Sequence, residues 1–390
     1  MALPESADRA RACHHVAVTP RAAVSLLFLV NGFVLANWLT RIPDVARALH
    51  LGSGQVGTAL LGMAVGALSA FPLTGGLITR FGSARVTVGF AAVYALSLPA
   101  LALAPSLPWL LVALALFGFG NGGMDVAMNA QGVEVERWMR RPIMNALHGF
   151  FSLGGLVGAA TGGAVASAAV PVPWHFVAVA GAALVGVAGA RGRLRPDEAT
   201  AAGRGGAPVF TLPARALWGL GAVGVCAAIG EGAIGDWSAL YLRGSLGTGP
   251  GLAALGYAAF SVTMLIGRFA GDSLVARFGP AAVVRAGGAL AAVGLAAGLA
   301  VPLPALALVG FAAVGLGLAV VIPLVYAAAG AHPTIPRGVA VAGVATIGYS
   351  GFLVGPPLLG WLADLASLRV ALLLVAALSG LIVVLPRVDP

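Results

Sequence analysis

Long apolar runs separated by short polar segments dominate the chain. Each run is about 20 residues long, the length at which one helix crosses the roughly 30 Å hydrocarbon core of a bilayer. The runs lack the strict alternation of apolar and polar positions that indicates a half-buried strand. We predict about twelve transmembrane helices, at 22–41, 55–78, 84–104, 107–131, 144–167, 174–191, 216–238, 251–275, 282–301, 304–328, 339–362 and 369–387.

Composition leads to the same fold class. The 390 residues are 59% hydrophobic and 9% charged, which is more apolar surface than a water-soluble domain buries. Every backbone group in lipid needs a partner within the protein, and continuous runs of this length favour helices over a barrel. We therefore expect an all-α integral membrane protein. The net charge of +9 suits an anionic lipid surface, so we expect the bilayer and not nucleic acid as its partner.

The sequence contains no pattern that indicates catalysis. Cys13 and Cys226 are too few for a disulfide framework or a metal site. The glycine-rich stretch Gly118–Gly123 lies inside an apolar run and does not follow a strand, which argues against a phosphate-binding loop. We expect no enzyme activity, no cofactor and no metal ion.

The arginines are distributed unevenly between the two sides of the predicted helices. If the N-terminus lies in the cytoplasm, only Arg41, Arg47, Arg243 and Arg369 fall on the external side. The positive-inside rule therefore predicts that both termini are cytoplasmic. We expect a multi-pass protein of the cytoplasmic (inner) membrane.

A long polar connection divides the chain near its middle. Residues 194–215 are rich in Arg, Gly, Ala and Pro, a composition typical of a flexible linker. We expect a cytoplasmic N-terminal tail at 1–21, an N-terminal six-helix bundle at 22–193 and a C-terminal six-helix bundle at 216–390.

The two bundles carry similar segments, which indicates an internal repeat. Gly75–Gly82 follows the second span and Asp272–Gly279 follows the eighth, and both segments end in Arg-Phe-Gly. Asn31–Trp38 lies in the first span and Gly230–Trp237 in the seventh, and both end in a polar residue followed by tryptophan. A six-helix unit used twice explains these matches.

The loops Gly75–Arg85 and Asp272–Arg285 resemble the signature of the major facilitator superfamily, Gly-x-Leu-x-Asp-Arg-x-Gly-Arg, and the resemblance extends over nearly the whole chain. Thr79 and Ala276 stand where the signature has Asp, so we expect the i, i+4 pair Arg268 and Asp272 to replace part of its charge clamp. The resemblance implies a central cavity lined by spans 1, 4, 7 and 10. It also implies a conformational role for Gly75, Arg80, Gly82, Arg85, Arg268, Asp272, Arg277 and Gly279.

The fourth span carries a narrower resemblance. Gly120–Asn129 is similar to the glycine-rich, Glu-containing fourth span of the fucose permease-like branch, with Asp125 at the Glu position. That branch performs sugar–proton symport, which implies a sugar-like solute. The partner carboxylate that the branch carries in its first span has no counterpart in Phe33–Asn37.

Asp125 is the leading candidate for a functional side chain. A carboxylate inside a membrane span is costly, so such a residue is by default a functional hypothesis. Asn121, Asp125 and Asn129 are spaced i, i+4, i+8 and share one helix face. His148 lies at a similar depth on the next span, which predicts either a carboxylate–imidazole pair that exchanges a proton or a static contact that holds the two helices together.

Glu231, near the middle of the seventh span, is the second candidate. The functional interpretation is binding or proton coupling, and the alternative is a carboxylate satisfied by neighbouring helices that its flanking glycines bring close. Asp236 lies five residues further on, about 140° around the helix, and is expected to act as a gate or capping residue.

The remaining polar and aromatic candidates divide between structural and functional interpretations. Trp38 and Trp237 lie near the outer ends of their spans, where interfacial anchoring competes with stacking on a sugar. The asparagines either bind a polar solute or join helices. The complete set expected to line the substrate cavity is Asn31, Asn37, Trp38, Asn121, Asn129, Asp236 and Trp237.

These observations predict a secondary transporter that works by alternating access on a small polar, sugar-like solute. We expect coupling to protons through Asp125 and Glu231, and a monomer. Efflux of amphipathic compounds is the alternative within the same class. A membrane scaffold or sensor that transports nothing is the alternative from another class.

Overall fold

The structure is a computed structural model that describes residues 6–141, 143–196, 214–335 and 337–385. These residues form helices and no strand. The α-helices are α1 (Ser6–Ala48), α2 (Ser53–Phe81), α3 (Ser83–Leu103), α4 (Leu107–Met139), α5 (Met144–Ser167), α6 (Val172–Arg191), α7 (Trp218–Leu240), α8 (Pro250–Phe278), α9 (Pro280–Ala300), α10 (Pro304–Leu318), α11 (Val321–Gly330), α12 (Arg337–Leu365) and α13 (Leu368–Val384).

The predicted all-α membrane fold is confirmed. Within the described ranges, ten helical segments are long and apolar enough to cross a membrane. The eleventh and twelfth predicted spans correspond to α12, with 29 residues, and α13, with 17 residues. Helix α1 begins at Ser6 and therefore extends into the predicted tail, because residues 6–17 are rich in good helix formers such as Ala and Arg.

The tenth span is interrupted. Helix α10 ends at Leu318 and α11 begins at Val321, two residues before Pro323. Proline lacks the N–H that would bond to the carbonyl of Ala319, and its ring clashes with that carbonyl, so the break falls where the sequence requires it. By contrast, α12 continues through Pro356 and Pro357.

Helices α1–α6 pack mainly on one another, and so do α7–α13. We call these groups the N-half and the C-half. Close helix contact depends on glycine at the α2–α4 crossing, where a Cβ on Gly66 or Gly118 would collide with the backbone of the facing helix. The predicted linker at 194–215 falls largely on residues 197–213, which lie outside the described residues.

The two halves meet mainly through three helix pairs: α1 with α7, α2 with α12 and α5 with α8. We call the end of the bundle that contains the α1–α2 connection the Asp44 side, and the opposite end the Gly82 side. On the Asp44 side, Arg243 Nη1 lies 2.6 Å from Asp44 Oδ1, and the Gly54 N–H donates to Asp364 Oδ2 at 2.8 Å. Both contacts cross between the halves, so they close this end of the interface.

The Gly82 side has no equivalent closure among the described helices. Helix α4 packs on α1, α2 and α3 and shares no extensive contact with α10, α11 or α12. The last turns of α2 and α8 are exposed there, with Phe81 and Phe278 at 44% and 55% of their full exposure. The described contacts therefore close the space between the halves on the Asp44 side, and no comparable hydrogen bond or ion pair of the described residues joins the last turns of α2 and α8 on the Gly82 side.

Candidate functional site

Asp125 lies on the face of α4 that the sequence predicts. Asn121, Asp125 and Asn129 are all partly exposed, whereas Met124 and Met128 beside them are buried. The Asn129 side-chain amide donates to Asp125 Oδ1 at 3.2 Å and to the Asp125 backbone carbonyl at 2.8 Å. The carboxylate is thus held by its own helix, and the residue is not fully buried.

The space in front of Asp125 belongs to both halves. Tyr326 on α11 and Tyr349 on α12 each interact electrostatically with Asp125 and with Glu231 of α7. Glu231 and both tyrosines are partly exposed. Two carboxylates from opposite halves therefore lie within electrostatic range of the same pair of tyrosines. We call this space the crevice.

Sequence reasoning missed both tyrosines. Tyr326 and Tyr349 lie in spans whose apolar residues dominate, and the ring of tyrosine contributes to that apolar pattern. The hydroxyl group is the feature of the sequence that could have identified them, because a phenol in a membrane span needs a polar neighbour.

Arg268 differs from its expected role. It lies ten residues before the end of α8, about 15 Å into the helix at the rise of ~1.5 Å per residue, and not in the loop. It is partly exposed and interacts electrostatically with Glu231 of its own half and His148 of the other. The clamp with Asp272 is absent, since Asp272 is exposed and no ion pair joins the two among the described residues.

The predicted contact between Asp125 and His148 is also absent from this conformation. The His148 ring packs edge-on against Phe28, with ring centroids 5.3 Å apart, and no hydrogen bond or ion pair of the described chain joins it to Asp125. Equal depth on two helices does not make their side chains point at each other. His148 packs on α1 instead and interacts electrostatically with Arg268.

Asn31 and Asn37, expected in the cavity, are buried between helices at 1% and 0% exposure. Asn31 Nδ2 points at Met128 Sδ, 3.8 Å away. Asn37 Nδ2 donates to the carbonyl of Phe33 at 2.8 Å, and Asn37 Oδ1 lies 2.9 Å from His175 Nε2. These amides therefore join helices in this conformation. His175, at the start of α6, was missed although a histidine in an apolar span is a visible signal.

Trp38 and Trp237 are neither interfacial nor open to a solute here. Their exposures are 1% and 0%, and neither indole N–H has a hydrogen-bond partner among the described residues. Trp361, in contrast, is 56% exposed, as an interfacial anchor would be. Asp236, next to Trp237, is partly exposed and interacts electrostatically with Tyr257 of α8, as Glu231 also does.

The two signature loops have matching geometry. Gly82 and Gly279 have φ values of 84° and 80°, a region that favours glycine, and each ends one helix and precedes the next. Arg80 lies over the Phe81 ring at 5.0 Å, and Arg277 lies over the Phe278 ring at 5.2 Å. Gly75, Arg85 and Asp272 are exposed on the same side. No group of three or more potential metal-ligating side chains occurs within the described residues.

Comparison with known proteins identifies the family. The Major Facilitator Superfamily profile matches residues 24–241 and 220–390. An uncharacterized transporter, y4wD, of Sinorhizobium fredii is 38% identical over 95% of this chain and 98% of its own length. Membrane protein MosC of Rhizobium meliloti is 35% identical over 92% of this chain and 87% of its own. These relatives do not confirm the fucose permease-like branch.

Solved structures share the fold at low sequence identity. The nucleoside transporter NupG, in the form of a point mutant, has a TM-score of 0.76 at 13% identity, covering 93% of this chain and 98% of that chain. A bacterial homologue of the human lysosomal transporter Spinster, in an inward-facing and unoccupied conformation, has a TM-score of 0.70 at 15% identity, covering 95% of both chains. The chain belongs to the Major Facilitator Superfamily and is a multi-pass membrane transporter of that type.

Proposed function

We propose that the protein carries a small polar solute across the cytoplasmic membrane by alternating access, with the solute bound in the crevice. One observation carries the proposal: Asp125 of the N-half and Glu231 of the C-half, both partly exposed, interact with the same two tyrosines. A solute placed there contacts both halves. Its binding can therefore bias how the halves meet, which is what alternating access requires.

The second conformational state is one in which the contacts on the Asp44 side are broken. For the crevice to open there, Arg243 must leave Asp44 and Asp364 must leave the Gly54 N–H. Both are charge-assisted contacts, which are individually stronger than neutral hydrogen bonds but can be broken. Closing the Gly82 side then requires new contacts between α4 or α5 and α10–α12. The solute and its coupling ion provide the differential binding energy for this exchange.

We propose that protons are the coupling ion. A carboxylate enclosed without a partner loses hydration that the protein must replace. Protonation of Asp125 or Glu231 removes that cost for a carboxylate that has no other partner when the crevice closes. The proposed orientation follows the arginine distribution, with the Gly82 side and both termini in the cytoplasm. We further propose bundles at 22–193 and 216–390, and a monomer as the functional unit.

The decisive experiment combines binding with transport. Purified protein is screened by thermal shift against sugars, polyols and organic acids, because a ligand that binds only the folded state raises the melting temperature. Proteoliposome uptake of each hit is then measured for the parent, Asp125→Asn and the matched control Asp125→Glu, which keeps the carboxylate. We expect loss of transport in the first variant and partial retention in the second. Parental transport by Asp125→Asn contradicts the proposal.

Efflux of amphipathic compounds remains the second candidate function, and one observation favours it. Phe71 of α2 packs edge-on against Tyr349 at 5.2 Å, and Tyr349 packs against Phe352 at 6.2 Å. This aromatic row adjoins the crevice and offers apolar surface. Phe71→Ala should weaken binding of an amphipathic substrate more than binding of a compact polar solute, and the thermal shift screen, extended to amphipathic compounds, distinguishes the two.

A further inference from the structure

Acidic side chains outnumber basic ones in the crevice. Asp125, Glu231 and Asp236 are all partly exposed, and Arg268 is the arginine that interacts electrostatically with this group. No arginine of the described chain lies within ion-pair distance of any of the three carboxylates. Glu231 and Asp236 also accept no hydrogen bond from the described residues. With the acids ionised, the crevice carries excess negative charge.

From this imbalance we infer that the transported solute is a cation, specifically a protonated amine that also carries hydroxyl groups. The inference rests on the proposed function, because it assumes that the crevice is the binding site. Closure removes water from the carboxylates, and an unpaired carboxylate resists that step. An ammonium group supplies the missing partner. A neutral sugar does not, and an anion adds a fourth negative charge to the three carboxylates.

The aromatic side chains favour the same solute. Tyr326 and Tyr349 each interact electrostatically with both Asp125 and Glu231, and Phe71 packs against Tyr349. The faces of aromatic rings attract cations, and ring faces next to carboxylates are a recurrent arrangement for organic ammonium groups. The phenol hydroxyls and the amide of Asn121 offer hydrogen bonds to hydroxyl groups. The crevice therefore combines charge recognition with hydroxyl recognition.

Arg268 limits how the amine can bind. It interacts with Glu231, His148 and Tyr257, so it occupies the α8 edge of the crevice. Among the described residues, Asp125 has no arginine as an electrostatic partner, and the Asn129 amide is its hydrogen-bond donor. The ammonium group is therefore assigned to the Asp125 end, and the hydroxyl groups to the Arg268 end.

The test uses matched solutes that differ in charge. Glucosamine, glucose and glucuronate form one triplet, and 2-amino-1,3-propanediol, glycerol and glycerate form a second, smaller one. Thermal shift titrations are run on the full chain in detergent. We expect the amine of at least one triplet to bind at a concentration tenfold or more below that of its neutral partner, and the anion to bind least. The inference is overturned if no amine binds, or if the amine has no tenfold preference over its neutral partner in either triplet.

Two variants separate this inference from the proposed function. Asp125→Asn should remove the tenfold preference for the amine over its neutral partner, while Asp125→Glu should keep it. The melting temperature without ligand checks that both variants fold. If a neutral solute binds best and Asp125→Asn still abolishes its transport, the cation inference fails and the proposed function stands. If Asp125→Asn transports every bound solute normally, the proposed function fails as well.

Discussion

The two halves use the same position in different ways. Asn37-Trp38 in α1 matches Asp236-Trp237 in α7. Both tryptophans are fully buried, and their indole N–H groups lack hydrogen-bond partners among the described residues. Asn37 is enclosed and bonded to Phe33 and close to His175, whereas Asp236 is partly exposed. The tryptophan keeps a packing role in both copies, and the polar residue before it is free to change role.

Two other matched positions show the same asymmetry. Phe71 and Arg268 each precede by ten residues the phenylalanine that ends α2 or α8. Phe71 contacts Tyr349 across the interface, while Arg268 interacts with His148 across it. Asp44 and Arg243 are separated by 199 residues, as the matched tryptophans are, and they bind each other. A repeated unit thus brings equivalent positions face to face, where opposite charges produce a lock.

The largest expected effect is at Asp125, the acid that the N-half contributes to the crevice. Asp125→Asn keeps the size of the side chain and removes its charge. A hydrogen bond to a charged group contributes about 1.5–3 kcal/mol, which corresponds to roughly 13- to 160-fold in binding. We expect solute affinity to fall by that factor, and net coupled transport to fall further. Tracer uptake into proteoliposomes measures it, and an unchanged initial rate would sink the assignment.

Exchanging the matched residues tests the comparison directly. Asn37→Asp puts a carboxylate into a fully buried site and removes the amide group that donates to the Phe33 carbonyl. We expect the free energy of unfolding to fall by about 1–3 kcal/mol. Asp236→Asn changes a partly exposed side chain, and we expect folding stability to change by less than about 0.5 kcal/mol. Thermal unfolding of both variants in the same detergent gives the answer. Equal losses of stability would mean that the two positions are not used differently.

The lock on the Asp44 side should give an intermediate effect. The pair is largely desolvated, because the side chains of Asp44 and Arg243 are only 17% and 16% exposed. Arg41 also binds Asp44. Arg243→Gln should shift the conformational equilibrium toward opening on that side by about 1–2 kcal/mol. Distances between spin labels placed at the two edges measure the shift. Arg243→Lys is the control, because it keeps a positive charge opposite Asp44 and should retain most of the parental distribution.

The fold was predictable from sequence and the orientation of side chains was not. Apolar runs of about twenty residues identify spans because the bilayer imposes their length. Pro323 places the break before α11 because proline has no N–H to donate and its ring clashes with the carbonyl four residues earlier. Depth alone suggested a contact between Asp125 and His148, but which way each helix faces depends on tertiary packing. For the same reason the buried role of Asn37 could not be distinguished from a role in the crevice.

The smallest expected effect concerns Trp38 and Trp237 themselves. Because neither indole N–H has a hydrogen-bond partner in the described chain, substitution by phenylalanine removes packing volume and no bond. We expect Trp38→Phe and Trp237→Phe to cost about 1–1.5 kcal/mol each, against roughly 3–5 kcal/mol for replacement by alanine. Thermal unfolding measures the stability, and solute affinity should remain at the parental value. If Trp237→Phe instead weakens solute binding without affecting stability, then Trp237 contacts the solute in another conformation. The matched tryptophans would then have diverged as their polar neighbours have, and packing would no longer explain why both halves carry one.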